Sequence, residues 1–307
     1  AGSLIAANCQ IASNTFIGAL AGRQTTTTAN NTFVGNSAGY SNTGTANSAV
    51  GDSALYSNTG SFNNAFGSTD NTFYAGALVS NTSGNGNNAF GNAALGANTT
   101  GGNNSAFGHQ ALLRNTTGNY NTAVGNQALI YNTTASNSTA VGHQALLNNT
   151  ASWNTAVGNS AAISNTTGSV TAFGQGALYA NTTGIANVAV GGYDGTYGPA
   201  MRFNTTGGFN SVVGYGALFS NSTGSQNTSL GFESLFSNTT ANENTAVGYQ
   251  AGYKLTTGIR NTVLGTQAGR ENITGDSNLY VGWFAGYNST GSGNTFVGAR
   301  NTAIGSS

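Results

Sequence analysis

The sequence predicts an all-β protein, a parallel β-solenoid or β-roll of about eighteen coils of 16–17 residues. Glycines that follow a large apolar residue recur at intervals of 16 or 17, except for 24 after Gly67, 23 after Gly191 and 7 at the end. Two short apolar segments and Asn/Thr/Gly turn clusters fill each interval, leaving no room for an ordinary helix. A fixed period of this kind is typical of repeat architectures. The recurring glycines are Gly18, Gly35, Gly51, Gly67, Gly91, Gly108, Gly125, Gly142, Gly158, Gly174, Gly191, Gly214, Gly231, Gly248, Gly265, Gly282, Gly298 and Gly305.

We number each coil from this glycine as position zero. Before the glycine, position −4 is usually Asn, position −3 is Thr or Ser, position −2 is mostly Ala, and position −1 is a large apolar residue. After it, position +3 is nearly always Ala and position +4 is Leu or Gly. An Asn-Thr-Thr-Gly turn begins near +7. Neighbouring strand residues point to opposite faces. Apolar residues at both −1 and −2 therefore predict that one face belongs to the coil's own core. The other face needs a partner, most simply another chain.

Three packing features follow from the repeat. Glycine at position zero predicts either a positive φ or a backbone that passes close by. The Asn rows at −4 and +7 are expected to stack as ladders of side-chain amides, which would satisfy buried turn groups without charge. Positions −2 and +4 are expected to share one space, because Phe16 and Phe33 occur with Gly22 and Gly39 where other coils pair Ala with Leu.

The repeat predicts one elongated domain, 1–307, with an irregular cap or broken first coil at 1–13 and loop insertions at 68–74 and 192–203. Insertions in repeat proteins often map to a binding face. The second insertion gathers aromatic and charged side chains that would stack on and hydrogen-bond a sugar; a tolerated surface loop is the alternative. The candidate receptor contacts are Tyr193, Asp194, Tyr197, Arg202 and Phe203.

The pattern carries no predicted catalytic, cofactor or metal site. The acidic residues are scattered singly, without a paired-carboxylate or triad pattern, so we do not expect an enzyme. His109 and His143 occupy equivalent positions two coils apart, on the order of 10 Å, which predicts surface residues and not a shared metal. A net charge of zero argues against a nucleic-acid partner, and no run of 18 apolar residues predicts membrane insertion.

Many Asn-x-Ser/Thr sequons fall in the turn that follows the second apolar segment. They are candidate glycosylation sites in an extracellular protein, although turn geometry alone also explains the Asn. The candidates are Asn98, Asn115, Asn132, Asn165, Asn181, Asn204, Asn221, Asn238 and Asn288.

The strand words Asn-Thr-Ala-Val-Gly, at Asn121, Asn154 and Asn244, and Asn-Thr-Phe-Val-Gly, at Asn31 and Asn294, resemble the head repeats of trimeric autotransporter adhesins. Some phage tail fibres use similar repeats. The resemblance implies a left-handed parallel β-roll, three chains wound into one core, and surface adhesion. The longer period and the Asn-Thr-Thr-Gly turn depart from the adhesin pattern.

Together these patterns predict a non-enzymatic structural or adhesive fibre, extracellular, at a cell surface or on a virion appendage. Its expected partners are itself, as a homotrimer or filament, and a host-surface glycan or protein. A phage tail-fibre receptor-binding shaft is one alternative. An ice-binding solenoid is another, since Thr rows on a flat face can match a lattice, although the Thr-x-Thr strand pattern is missing.

Overall fold

The computed structural model describes residues 13–25, 27–68 and 76–299. Apart from their edge residues Ser13 and Ser68, the predicted cap and the first insertion lie outside this part. The described residues form strands and turns, with no helix among them that could cross a membrane. The chain divides into two compact units, 1–153 and 154–307. Each unit is a parallel β-solenoid, so the predicted fold class is confirmed.

The first unit contains β1 (Thr15–Ile17), β2 (Thr32–Val34), β3 (Ser41–Asn42), β4 (Ser48–Val50), β5 (Ser57–Asn58), β6 (Asn64–Phe66), β7 (Asn88–Phe90), β8 (Ser105–Phe107), β9 (Thr122–Val124) and β10 (Thr139–Val141). The second contains β11 (Thr155–Val157), β12 (Val170–Phe173), β13 (Asn187–Val190), β14 (Ser211–Val213), β15 (Thr228–Leu230), β16 (Thr245–Val247), β17 (Thr262–Leu264), β18 (Leu279–Val281) and β19 (Thr295–Val297).

Each main strand pairs in parallel with the equivalent strand of the next coil, position on position. In the first unit Thr122, Ala123 and Val124 of β9 lie opposite Thr139, Ala140 and Val141 of β10. Strands β11 to β19 continue the same register within the second unit. In the first unit β3 and β5 add a short second ladder. Equivalent residues therefore form rows that run from coil to coil.

The strand alternation assigns the two apolar rows to opposite sides. Ala123 at −2 is fully buried, whereas Val124 at −1 is 38% exposed. Ala128 at +3 and Leu129 at +4 complete the interior, which each coil builds from its own chain. The core row is thus −2, and the row on the outer face is −1.

The predicted sharing of space between −2 and +4 is confirmed. Phe33 is fully buried, and a β-carbon added to Gly39 would collide with its ring. The space is also shared between coils. Gly252 is an example, because its own coil has only Ala at −2. A β-carbon added to Gly252 would lie 3.1 Å from Leu235 of the preceding coil and 3.9 Å from Val263 of the following coil. An aromatic side chain at −2 therefore goes with glycine at +4 of its own coil wherever both residues are described, whereas Val212 at −2 is buried together with Leu218 at +4 and is an exception to the predicted exchange.

Both explanations offered for glycine at position zero apply. Gly125 has a φ of +135°, and a β-carbon there would lie 2.5 Å from the carbonyl oxygen of Gly142 in the next coil. A side chain would meet backbone, which cannot rotate away. The glycine row therefore sets how closely successive coils stack at this corner.

Both Asn rows are buried and form ladders. At +7, Asn115 Nδ2 donates to Asn98 Oδ1 (2.8 Å) and to the carbonyl oxygen of Gly118 (3.0 Å). At −4 the ladder also uses backbone, since the Asn121 amide N–H donates to Asn104 Oδ1 (2.9 Å). The Asn115 side chain thus pairs with a turn carbonyl and with the adjacent coil, so this polar corner is satisfied without charge.

Candidate functional site

The insertion after Gly191 is shorter than the sequence pattern predicts. Ala200 and Met201 are fully buried, in the core positions that Ala and Leu occupy at +3 and +4 of other coils. The Ala200 amide donates to the Gly191 carbonyl (3.0 Å), and that of Met201 to the Ala217 carbonyl (3.1 Å). Arg202 and Phe203 therefore belong to the regular coil. The departure from the coil path is confined to 192–199.

Hydrogen bonds within the inserted segment fix its shape. Asp194 Oδ1 accepts the backbone N–H groups of Tyr197 (2.8 Å) and Thr196 (2.9 Å), an Asx-type turn. These bonds, that from Tyr197 first, lower the pKa of the Asp194 carboxyl below its usual value. The Tyr193 hydroxyl donates to the Gly195 carbonyl (3.1 Å). The Asp194 carboxylate is thereby engaged by the turn itself.

The structure does not bring all five predicted contacts to one place. Tyr197 packs edge-on against Phe232, with ring centres 4.6 Å apart, and Phe203 packs edge-on against Phe219 at 5.0 Å. Tyr193 and Arg202 instead line a common cleft of about 110 Å³ within the second unit. The cleft residues are Asn159, Ser160, Gln175, Gly176, Tyr179, Tyr193 and Arg202.

Small residues at position +2, together with the insertion, shape the cleft. In three successive coils of the first unit this position is filled by Gln110, Gln127 and Gln144, whose amides bond to one another at 3.1 and 2.9 Å. Ser160 and Gly176 occupy this position in the second unit and leave a depression between their neighbours at +1 and +5. Insertion residue Tyr193 walls the depression. Tyr179, Gln175 and Ser160 were not among the predicted contacts; the signal for them in the sequence is the absence of Gln at +2 in two successive coils before the insertion.

Arg202 differs in its electrostatic surroundings from two arginines later in the second unit. Arg260 pairs with Glu243 (3.1 Å), and Arg270 pairs with Glu271 (2.5 Å). Across residues 13–25, 27–68 and 76–299 Arg202 has no ion pair. Its guanidinium carbon lies 5.4 Å from the ring centre of Tyr179 and 5.6 Å from that of Phe203. Aromatic faces thus hold a positive charge that forms no ion pair with a carboxylate of the described residues.

The outward strand face is the second candidate surface. The −1 row places one apolar side chain per coil at the surface: Phe107 is 41% exposed, and the Phe66–Phe90 and Phe90–Phe107 rings stack with centres 4.7 and 4.9 Å apart. In the second unit Phe173 and Leu230 are exposed to a similar degree. Within each unit the row forms a continuous apolar stripe.

The structure divides the sequons by exposure. Eight of the candidate Asn residues are buried in the +7 ladder, and Asn288 alone of the nine is exposed. The buried ones are Asn98, Asn115, Asn132, Asn165, Asn181, Asn204, Asn221 and Asn238. In the folded chain their side chains are inaccessible to a glycosylating enzyme, which leaves Asn288 as the accessible candidate.

The two histidines are exposed, as predicted. His109 Nδ1 lies 3.4 Å from Asn126 Nδ2 of the next coil. Among the described residues no three His, Cys, Asp or Glu side chains form a group that could hold a metal ion.

No protein-family model matches this sequence, and no characterised protein or solved structure matches it either. The likeness to adhesin head repeats therefore remains a likeness of strand words.

Proposed function

We propose that this chain is a non-enzymatic structural segment of a fibre, which associates with further copies of itself as a homotrimer or filament. Its place would be extracellular, at a cell surface or on a virion appendage, where it serves adhesion. The observation that carries the proposal is the outward −1 row, an apolar stripe that the described part of the chain leaves partly exposed.

The stripe is of a kind that soluble monomers avoid. Full burial of a Val, Leu or Phe side chain contributes about 1.5–3 kcal/mol, so covering the exposed fraction of one −1 residue contributes about 0.5–1 kcal/mol. Several coils in a row add up to a strong driving force for association. The solenoid interior already contains its own Ala, Leu and Asn rows, which leaves the stripe available to a partner.

A second copy fits this stripe better than an unrelated partner. Two parallel solenoids share the same inter-strand repeat of about 4.8 Å, so their apolar rows can interdigitate over many coils. The flanking residues on this face, such as Thr122 and Asn126, are uncharged, so identical copies do not repel one another.

The test introduces two charges into the stripe, Phe107→Lys with Val124→Lys, and measures mass in solution by light scattering. We expect the parent at several times the chain mass and the variant at the chain mass, with unchanged circular dichroism. The matched control is Lys at the exposed turn positions Thr117 and Thr134, which should leave the mass unaltered. A parent that is monomeric at micromolar concentration would falsify self-association.

Ice binding is the second candidate, favoured by the outward Thr row at −3, such as Thr122 and Thr139 in paired strands. The other outward row of the same strands is Val or Phe, so each strand offers one Thr and not two. Thermal hysteresis measured on the parent separates this candidate from a fibre, because a fibre without ice affinity gives none.

A further inference from the structure

We propose that the cleft around Arg202 binds a sugar ring that bears a carboxylate, as the terminal residue of an acidic glycan. The inference rests on the proposed adhesive function, since it names the ligand class of that fibre. The cleft is lined by residues of three successive coils, and none of its lining residues is acidic.

The charge of the ligand follows from Arg202. Arginine presents a planar fork of donors that matches a carboxylate in bidentate fashion. The guanidinium of Arg202 lies over the Tyr179 and Phe203 rings, and among the described residues no carboxylate forms an ion pair with it. The acidic residue in the insertion, Asp194, directs its Oδ1 to backbone N–H groups of its own turn. The cleft therefore favours an anion.

The ring of the ligand follows from the tyrosines. Tyr179 and Tyr193 line the cleft, are 40% and 43% exposed, and offer flat apolar faces beside polar edges. Such side chains cover a sugar's C–H face at low conformational cost. The Tyr193 hydroxyl bond to Gly195 and the Tyr193 amide bond to the Gln175 carbonyl (3.1 Å) hold the wall in place before a ligand arrives.

The size and polarity of the cleft limit the size of the ligand and the polar groups it carries. At about 110 Å³ it is smaller than the roughly 300–1,000 Å³ of sites for drug-sized ligands, so it suits one ring. The side chains of Gln175, Asn159 and Ser160 border it and supply amide and hydroxyl groups, with the Ser160 hydroxyl donating to Asn159 Oδ1 (2.9 Å). The positive charge of Arg202, the tyrosine faces and the neutral polar side chains together favour an acidic monosaccharide unit as the ligand.

The chain provides its own comparison for the Arg202 arrangement. In the first unit Arg114 also lies over a tyrosine ring, 4.6 Å from the centre of Tyr131. There the +2 row is filled by Gln110 and Gln127, and no insertion supplies a wall. Arginine–tyrosine stacks thus occur at Arg114, Arg202 and Arg270, but the cleft accompanies Arg202.

The experiment measures binding of four probes by saturation-transfer NMR and calorimetry: the methyl glycosides of N-acetylneuraminic acid and galacturonic acid, neutral methyl galactoside, and an acidic peptide. We expect at least one acidic sugar to bind and methyl galactoside to bind at least tenfold more weakly. The two acidic sugars distinguish the two sources of the carboxylate. Binding of the peptide in place of any sugar would overturn the proposal.

Two variants test the cleft by different routes. Arg202→Gln removes the charge, and Ser160→Gln fills the space; Ser160 has a φ of +54°, close to the +58° of Gln127, so glutamine fits the backbone there. Each should weaken acidic-sugar binding at least tenfold, whereas Arg114→Gln should leave it unchanged. Equal loss in Arg114→Gln, or full binding by Arg202→Gln, refutes the assignment. Mass in solution is measured on the same samples, so failure of the cleft is distinguishable from failure of self-association.

Discussion

Replacing Gly125 by Ala tests how the coils are spaced. The substitution adds one methyl group at a corner where two independent obstacles meet. The φ of +135° is a conformation that alanine rarely adopts, and the new carbon would lie 2.5 Å from the Gly142 carbonyl oxygen and 2.7 Å from its carbonyl carbon. The corner must therefore distort in two ways at once.

The size of the effect can be estimated from its two parts. A non-glycine residue held in a sparsely populated backbone region costs about 1–3 kcal/mol. Forcing an extra methyl into a packed site costs about 1–3 kcal/mol. Because the obstructing atoms are backbone, relaxation requires the coils to separate locally, which also lengthens ladder hydrogen bonds. We expect Gly125→Ala to lower the free energy of unfolding by about 2–6 kcal/mol.

Two further glycines separate the two parts. Gly293 has a φ of +71° with open space around a would-be β-carbon, so Gly293→Ala isolates the backbone strain. Gly101 has no positive φ, but a β-carbon there would collide with the Gly118 carbonyl oxygen, so Gly101→Ala isolates the contact. Urea unfolding followed by circular dichroism should rank Gly125→Ala as the most destabilised. If Gly125→Ala unfolds with the parent, the account of this corner is wrong; if it matches Gly293→Ala, the contact between coils contributes nothing.

Three further outcomes are expected. Asn115→Ala should lower the free energy of unfolding by about 1–3 kcal/mol, because the Gly118 carbonyl loses a buried donor; Asn115→Leu should cost less, since Leu255 fills the same position of its own coil, and urea midpoints decide between them. Burial raises the pKa of the Tyr280 hydroxyl above its usual value of 10.0, so its stabilisation is complete below pH 10 and is lost as pH rises through the raised pKa. Tyr280→Phe should therefore make stability fall less steeply above pH 10, and an unchanged slope in urea titrations contradicts this. After expression in a glycosylating host, mass spectrometry should find glycan on Asn288 and none on Asn115; a modified Asn115 would contradict its burial.

The sequence alone predicted how equivalent residues line up in rows from coil to coil. The period, the strand words and the Asn phases predicted the parallel register and the ladders, because identical residues at identical spacing have few ways to stack. The pairing of Phe33 with Gly39 in the sequence likewise predicts the volume that the two positions share. The sequence left open which of positions −1 and −2 faces inward. Both rows are apolar, and the alternation of side chains along a strand does not by itself say which face is buried.

Backbone geometry away from glycine was not predictable. Gln127, Leu129 and Asn137 all have positive φ, between +54° and +59°. Asn tolerates this region, but leucine ordinarily does not, and a composition of Gln-Ala-Leu gives no local signal for it. The adjacent coils enforce these backbone conformations. The positive φ therefore depends on the stacking of coils and cannot be predicted from the tripeptide sequence. For the same reason the cleft escaped prediction, since Ser160 and Gly176 look like ordinary turn residues until the filled Gln row is seen.

The insertion after Gly191 tests whether a site can be added to this solenoid without altering its interior. Ala200 and Met201 keep the core positions, so removing only the excursion should leave the rows intact. Deleting 193–198 shortens the interval from 23 to 17 residues and keeps Gly192 at +1. Pro199 then falls at +2, where other coils have positive φ that proline cannot adopt, so the variant also needs Pro199→Gln.

We expect this double change to leave the urea midpoint close to that of the parent, because the lost edge-on contact between Tyr197 and Phe232 is at the surface. Binding of acidic sugar should be lost with the Tyr193 wall. The matched control deletes nothing and carries Pro199→Gln alone, which reports any strain from the proline site. If the shortened chain unfolds much more easily than this control, the excursion supports the coil and is not an addition to it. If it binds acidic sugar as well as the parent, the wall is irrelevant and the repeat faces must carry recognition.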